Sequence, residues 1–196
     1  ALDRHLREEM QLELKALHET LGSTIVYVTH DQQEAVTLSN RVAVLKEGRI
    51  VQLDEPSVIY ERPADAFVAG FIGETNFVKS TIVLQSDHQA LVDIGGYTLT
   101  TEPNAALAAG ARVLVAVRPE AIRLYPVQYD MPIAGTALPA IVEQAHFLGD
   151  SWRYVVRTGP HRLVAKAQAD PLSARFVKGD DVTLVLQPST MRLLPQ

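Results

Sequence analysis

Apolar and polar positions follow two different periods along this chain of 196 residues. Near the start, apolar residues such as Leu6, Met10 and Leu14 recur every three or four positions, which predicts an amphipathic helix ending near Gly22. From Phe77 onward, short β-branched runs punctuated by glycine predict strands only. The change of period predicts two domains, residues 1–74 and 75–196.

The first of these regions has the pattern of mixed α and β structure. A helix is followed by a continuous apolar run, as expected for a strand buried on both faces of a parallel sheet. Helix followed by buried strand is half of a βαβ unit, so we expect an α/β fold. The predicted elements after the first helix are the strand Thr24–Thr29, a helix capped by Asp31 and running to about Leu38, a hairpin of Arg41–Leu45 and Arg49–Leu53, a helix from Pro56 capped by Asp54, and a helix from Ala64 to about Ile72.

The sequence pattern of the second region predicts β structure only. Many short strands with glycine turns favour a small barrel or sandwich. No internal repeat is strong enough to identify, although the stretches around Phe77 and Thr136 are each candidates to open half of a barrel. The predicted strands are Phe77–Leu84, Gln89–Val92, Tyr97–Thr100, Ala111–Val117, Ala121–Tyr125, Gly135–Leu148, Trp152–Arg157, Leu163–Ala167 and Thr183–Leu186.

Composition restricts the partners and the compartment. The formal net charge of −5 offers no overall attraction to nucleic acid or to anionic lipid. The chain has no cysteine, which excludes disulfides and thiolate metal sites and fits a reducing compartment. No stretch reaches the ~18 apolar residues that span a bilayer, and the start lacks the apolar core of a secretory signal. Because the chain starts at Ala1 inside a predicted helix, we expect it to be the C-terminal portion of a longer polypeptide.

His30 is the main candidate for chemistry. An apolar run leads directly to it and a helix follows, so its side chain can reach a bound phosphate from a fixed position. Taken alone, such a histidine is more often a surface or capping residue. His30, Asp31 and Glu34 are spaced for opposite sides of a turn, and we therefore expect no metal site there.

Three segments, in order along the chain, carry a family resemblance. They are Ala1-Leu2-Asp3, Tyr27-Val28-Thr29-His30-Asp31 and the run from Arg41 to Ile50. Together they resemble the D-loop, the switch-histidine loop and the following strand pair of ABC-transporter ATPases. The resemblance implies that His30 bonds the γ-phosphate of ATP and helps to place the attacking water. It also implies that Asp3 lies at the interface of two nucleotide-binding domains and transmits their closure.

A second signature lies in the β region. The strand Val113–Val117 is followed by Arg118-Pro119-Glu120, which resembles a turn of the TOBE regulatory domain that follows the ATPase domain in many bacterial importers. The residues Gly179–Leu184 are similar to the closing strand of that domain. The resemblance implies the end of a P-loop NTPase domain followed by an OB-like TOBE barrel. From their residue types, we expect Arg118 and Glu120 to pair with neighbouring strands rather than with a ligand.

The chain lacks the other parts of a nucleotide site. The phosphate-cradling pattern Gly-x-x-x-x-Gly-Lys-[Ser/Thr] is absent from the sequence. Asp54-Glu55-Pro56 imitates a Walker B ending, but it lacks a preceding aliphatic strand and follows the histidine loop, so we interpret it as a helix cap. We therefore expect this chain to be inactive alone.

For the intact parent, the resemblance implies an ATP-hydrolysing subunit of a bacterial ABC importer that uses ATP and Mg²⁺. Its implied partners are a second copy, integral-membrane permease subunits and, indirectly, a periplasmic solute-binding protein, at the cytoplasmic face of the inner membrane. Residues 67–77 resemble polyamine (spermidine/putrescine) importers most, and sugar, glycerol-phosphate or ferric-ion import stays open. The alternative is a non-catalytic regulatory or ligand-binding module. A nucleic-acid-binding barrel is disfavoured by the net charge.

Overall fold

The computed structural model describes residues 4–128, 135–170 and 173–196. They form two units, residues 1–73 and 74–196. The described part of the first unit contains four helices and one antiparallel hairpin. Their bounds are α1 Arg4–Leu21, α2 Gln32–Leu38, β1 Val42–Lys46, β2 Arg49–Asp54, α3 Pro56–Glu61 and α4 Ala66–Ile72.

The ends of α1 and α2 follow from local hydrogen bonding, as predicted. Helix α1 ends before Gly22, whose backbone N–H donates to the carbonyl of His18 at 3.1 Å. Helix α2 begins where the side chain of Asp31 accepts from the backbone N–H groups of Gln33 at 2.8 Å and Glu34 at 3.2 Å. Both predicted helices are confirmed.

The predicted hairpin is also confirmed. Lys46 and Arg49 are paired, and the two residues between them, Glu47 and Gly48, have φ values of 51° and 75°. A two-residue turn with both central residues in the left-handed region matches the twist of the flanking strands. The small core of this unit collects residues from the hairpin and the last two helices: Val42, Val44, Ile59, Val68 and Ile72.

Two predictions for this unit are wrong. Residues Thr24–Thr29 do not form a strand, and Val26 and Val28 are 88% and 85% exposed. A strand needs a hydrogen-bonded neighbour, and no described strand pairs with this segment. Asp54 does not cap α3, because β2 continues through it; Glu55 takes the N-cap position and makes no side-chain cap bond.

The described part of the second unit is all β apart from two one-turn 3₁₀ helices, Pro119–Ala121 and Pro188–Thr190. All nine predicted strands are present, with ends that differ from the prediction by at most two residues. A tenth strand, β12, was not predicted. The strands are β3 Asn76–Gln85, β4 Ala90–Asp93, β5 Thr98–Thr101, β6 Arg112–Val117, β7 Arg123–Pro126, β8 Thr136–Phe147, β9 Ser151–Thr158, β10 His161–Gln168, β11 Asp181–Leu186 and β12 Met191–Pro195.

These strands form two five-stranded antiparallel sheets with orders β12-β6-β3-β4-β5 and β10-β9-β8-β11-β7. Both sheets contribute to one core, in which Val115, Leu184 and Tyr154 are buried. Strand β7 follows β6 in the chain but pairs with β11, and β12 follows β11 but pairs with β6. The two halves of the unit therefore exchange their last strands.

The topology reveals an internal repeat that the sequence pattern did not. Each half contributes three consecutive strands, a fourth strand that pairs with the first, a 3₁₀ turn opening on proline (Pro119 or Pro188), and the exchanged strand. The first strands, β3 and β8, carry equivalent register shifts, at Ile82/Leu84 and at Val142/Gln144. Repeated bulges at matching places indicate two copies of one structural unit.

Candidate functional site

His30 lies at the turn that leads into α2, immediately before the N-cap residue Asp31. Its side chain is exposed, whereas its neighbour Thr29 is half-buried. The structure thus places His30 at the helix entry, as the sequence predicted, although an irregular segment and not a strand leads to it.

A network of side chains connects this turn to the first turn of α2. One carboxylate oxygen of Glu34, Oε2, accepts hydrogen bonds from the hydroxyls of Thr29 at 2.8 Å and Tyr27 at 3.1 Å. The Thr29 hydroxyl also accepts from the backbone N–H of Asp31 at 3.0 Å. Residues on both sides of His30 are therefore held to the same helix.

The negative charge of this network acts on the phenol of Tyr27. Its hydrogen bond to Glu34 and the negative charge of that carboxylate raise the pKa of the Tyr27 phenol, with a smaller contribution from Asp31. The cause is that ionising the phenol removes its donor and places a second negative charge beside Glu34.

An exposed imidazole on a tethered turn can donate a hydrogen bond to a phosphate oxygen or orient a water molecule. The rest of a nucleotide site is missing from the sequence, which has no phosphate-cradling loop. Within the described ranges, no group of three or more His, Cys, Asp or Glu side chains is arranged to hold a metal ion. These residues fit one contact of a nucleotide site, not the whole site.

Asp3, the second candidate from the sequence, lies outside the described residues. Its role at the interface of two nucleotide-binding domains therefore stays a prediction.

Arg118, in the turn after β6, contacts other residues of the second unit. Its Nη1 donates to the hydroxyl of Thr75 and lies 3.5 Å from the carbonyl oxygen of Glu74. Arg153 forms an ion pair with the Glu74 carboxylate at 2.6 Å. Arg118 from this turn and Arg153 from β9 thus hold the first residues of the second unit, which agrees with the expectation that Arg118 pairs within the fold.

Comparisons with known proteins show what the sequence of this chain is similar to. The TOBE domain model matches residues 115–194. The spermidine/putrescine import ATP-binding protein PotA 1 of Pseudomonas aeruginosa is 38% identical over 99% of this chain and 51% of its own length. The spermidine/putrescine import ATP-binding protein PotA of Thermobifida fusca is 40% identical over 100% of this chain and 51% of its own length. The chain is homologous to the C-terminal part of ABC-importer ATP-binding subunits.

The family resemblance seen in the sequence is thereby confirmed. The chain spans about half the length of these PotA relatives. The TOBE match begins within β6 and ends within β12, so it includes Arg118-Pro119-Glu120 and the second half of the repeat up to Leu194.

A solved structure supports the fold of the β region. The cytoplasmic molybdate-binding protein ModG, in a crystal form with molybdate bound, superposes with a TM-score of 0.53 at 18% identity, over 62% of this chain and 96% of its own. At this identity the likeness concerns the fold alone. Together with the TOBE match, it confirms the mostly β, OB-like part of the predicted fold class. No helix among the described residues is long and apolar enough to cross a membrane.

The sequence reasoning missed Tyr27, Thr29 and Glu34 as members of the site. All three belong to the same short run as His30, so the run itself was the available signal. Their convergence on one carboxylate oxygen depends on how the turn folds back toward α2, which no spacing rule specifies.

Proposed function

We propose that this chain is the C-terminal part of the ATP-hydrolysing subunit of a bacterial importer that takes up polyamines such as spermidine or putrescine. The observation that carries the proposal is the similarity to spermidine/putrescine import ATP-binding proteins over nearly the whole chain. Sugar, glycerol-phosphate and ferric-ion uptake are the competing substrate classes.

In this proposal, residues 1–74 are the end of an ABC nucleotide-binding domain of the P-loop NTPase class, and residues 75–196 are its accessory TOBE domain. Support comes from the division of the structure into two units and from the TOBE match in the second. The ordered motifs around Asp3, His30 and Arg41–Ile50 support the assignment of the first unit.

His30 is the proposed contact to the γ-phosphate of ATP in the intact subunit. Its exposure and its tethered turn suit a residue that positions a phosphate or a water molecule, because phosphoryl transfer depends mainly on positioning and charge stabilisation. ATP and Mg²⁺ would be held by residues that this chain does not contain. Asp3 is the proposed D-loop residue at the interface between two copies.

The proposed partners follow from the same homology. The intact subunit would form a homodimer, dock on integral-membrane permease subunits at the cytoplasmic face of the inner membrane, and serve a periplasmic solute-binding protein indirectly. The 196-residue chain should not hydrolyse ATP alone, because it contains the histidine without the phosphate cradle.

The test is the His30→Ala variant of the intact subunit, assayed for ATP hydrolysis. We expect kcat to fall by roughly a hundredfold or more, as for the loss of a positioned catalytic group. His88→Ala, at an exposed histidine in a turn of the β unit, is the matched control and should retain turnover. Full turnover by the His30→Ala subunit would overturn the proposed role of this residue.

A non-catalytic regulatory or ligand-binding module is the second candidate. The likeness to ModG, a molybdate-binding protein, shows that this β fold can form a binding protein, but a shared fold does not transfer a ligand. Calorimetry of the 196-residue chain with molybdate and with spermidine discriminates the candidates. The importer proposal expects no tight binding of either by this chain alone.

A further inference from the structure

We infer that Glu34 is the positioning residue of the His30 turn, acting through the hydroxyl of Thr29. This inference rests on the proposed function of His30 for its catalytic meaning. Its structural content, that Glu34 and Thr29 hold the histidine in place, is independent of that function.

The geometry is that of an extended capping box. In an ordinary capping box, the side chain at the third helical position reaches back to the backbone N–H of the N-cap residue. Glu34 occupies that third position relative to the N-cap residue Asp31. Here the N–H of Asp31 donates to the Thr29 hydroxyl at 3.0 Å, and the Thr29 hydroxyl donates to Glu34 at 2.8 Å.

Because the Thr29 hydroxyl lies between Glu34 and the Asp31 N–H, the Glu34 carboxylate is bonded to the residue before His30 and not directly to the N-cap residue after it. A hydroxyl has one proton, so donating it to Glu34 leaves the lone pairs to accept from Asp31. Residues 29 and 31 are thereby joined across the histidine, as in other turns closed by a serine or threonine side chain. His30 becomes the apex of a closed turn, with its side chain exposed.

Tyr27 adds a third attachment to the same oxygen atom. Its phenol donates to Glu34 Oε2 at 3.1 Å, two residues upstream of Thr29. The titratable groups that face this phenol are Glu34 and Asp31. One carboxylate therefore restrains the path of the chain from residue 27 to the start of α2, and a shift of His30 would require breaking at least one of these bonds.

The first experiment uses the 196-residue chain and does not depend on ATP. NMR follows the His30 ring signals and the hydrogen exchange of the Asp31 amide in Glu34→Ala, Thr29→Val and Thr29→Ser. We expect Glu34→Ala and Thr29→Val to shift the His30 ring signals toward those of an unfolded peptide. Asp31 exchange in Thr29→Val should rise at least about tenfold, because its acceptor is lost. Thr29→Ser keeps the hydroxyl and should preserve both readouts.

Measuring the pKa of Tyr27 distinguishes the effect of the Glu34 charge from the effect of losing the ordered turn. In Glu34→Ala the phenol pKa should fall toward its ordinary value, while in Thr29→Val it should not fall, since Thr29 does not raise it. Glu55→Gln is the control, because Glu55 is exposed and makes no cap bond. His30 ring signals identical to those of the parent chain in both Glu34→Ala and Thr29→Val would overturn the inference.

The second experiment measures the intact subunit. If His30 acts in turnover, Glu34→Ala and Thr29→Val should lower kcat by roughly ten- to a hundredfold with little change in KM, and Thr29→Ser should restore most of it. Adding Glu34→Ala to His30→Ala should cause no further loss, because both act through one group. Full turnover in His30→Ala would refute the proposed role of His30 in catalysis, whereas the NMR result would still decide the positioning role of Glu34.

Discussion

The side-chain amide of Asn76 pairs with both backbone polar groups of Val164, although the two residues belong to different sheets. The backbone N–H of Val164 donates to Asn76 Oδ1 at 2.7 Å, and Asn76 Nδ2 donates to the Val164 carbonyl at 2.9 Å. In the other half of the repeat, the backbone N–H of Thr100 donates to Thr136 Oγ1 at 3.3 Å. Each half therefore begins with a polar side chain that closes the edge of the opposite sheet, where an open strand would otherwise expose its backbone groups.

Replacing Asn76 with alanine should destabilise the β unit by about 2–4 kcal/mol, because both backbone polar groups of the half-buried Val164 lose their side-chain partner. Thr136→Val removes only one hydrogen bond and should cost about 1 kcal/mol. Denaturant unfolding, followed by the fluorescence of Trp152, the one tryptophan, reports on this unit. Equal unfolding midpoints for the two variants would contradict the closing role of Asn76.

Gly135→Ala should be far more damaging than Gly179→Ala. Both glycines have positive φ, at 116° and 99°, so both substitutions strain the backbone. A Cβ on Gly135 would lie 2.4 Å from the backbone carbonyl oxygen of Leu186, whereas one on Gly179 meets nothing within 4 Å. We expect an additional cost of about 2 kcal/mol or more for Gly135→Ala. The same fluorescence measurement checks this difference. A similar loss of stability in both variants would mean that the backbone at Gly135 moves away from Leu186 without cost.

Stability of the β unit should fall at alkaline pH through Tyr154. Burial raises the pKa of its phenol, opposed by a backbone hydrogen bond at Phe176 and by the charge of Arg175. A raised folded pKa means that the folded state binds the proton more tightly, so this contribution is complete below the ordinary value of 10.0 and is lost as pH rises through the folded value. Unfolding free energies from about pH 8 to about pH 11 should decline less in Tyr154→Phe than in the parent. An equal decline in the free energy of unfolding of Tyr154→Phe and of the parent chain would exclude Tyr154 as the cause.

The 196-residue chain should self-associate. Four consecutive apolar residues, Ile25 to Val28, are exposed, and so are apolar residues along α1, including Leu14 and Leu17. Contiguous exposed apolar surface favours association. Light scattering should show a mass that rises with concentration, and Val26→Lys combined with Val28→Lys should reduce it. Val83→Lys, at an exposed valine in the β unit, is the control; a monomeric mass at every concentration would contradict this prediction.

Sequence reasoning was accurate where a local bond or a local pattern decides the structure. The cap at Asp31, the stop at Gly22 and the hairpin of Arg41–Leu45 with Arg49–Leu53 each depend on a few neighbouring residues, and all three were predicted. Nine of the ten described strands of the β unit were likewise predicted from β-branched runs and glycine turns.

It failed where a distant partner decides the structure. The run Thr24–Thr29 has the composition of a buried strand, but composition cannot provide the neighbouring strands that a sheet requires, and the segment is exposed. The repeat was missed because β7 and β12 are exchanged between halves, so that equivalent strands pair with sequence-distant partners. The role of Asn76 was not predicted, because its hydrogen-bond partner Val164 lies on the sequence-distant strand β10.

The sequence by itself determined the family resemblance, the β-rich character of the second unit and the position of His30 beside a helix cap, since each is carried by adjacent residues. Only the tertiary structure decided the strand exchange, the closure of the sheets by Asn76 and the convergence of Tyr27 and Thr29 on Glu34. The physical reason is that hydrogen bonds between side chains and distant backbone groups depend on how the chain folds back in space, and periodicity along the chain does not encode that distance.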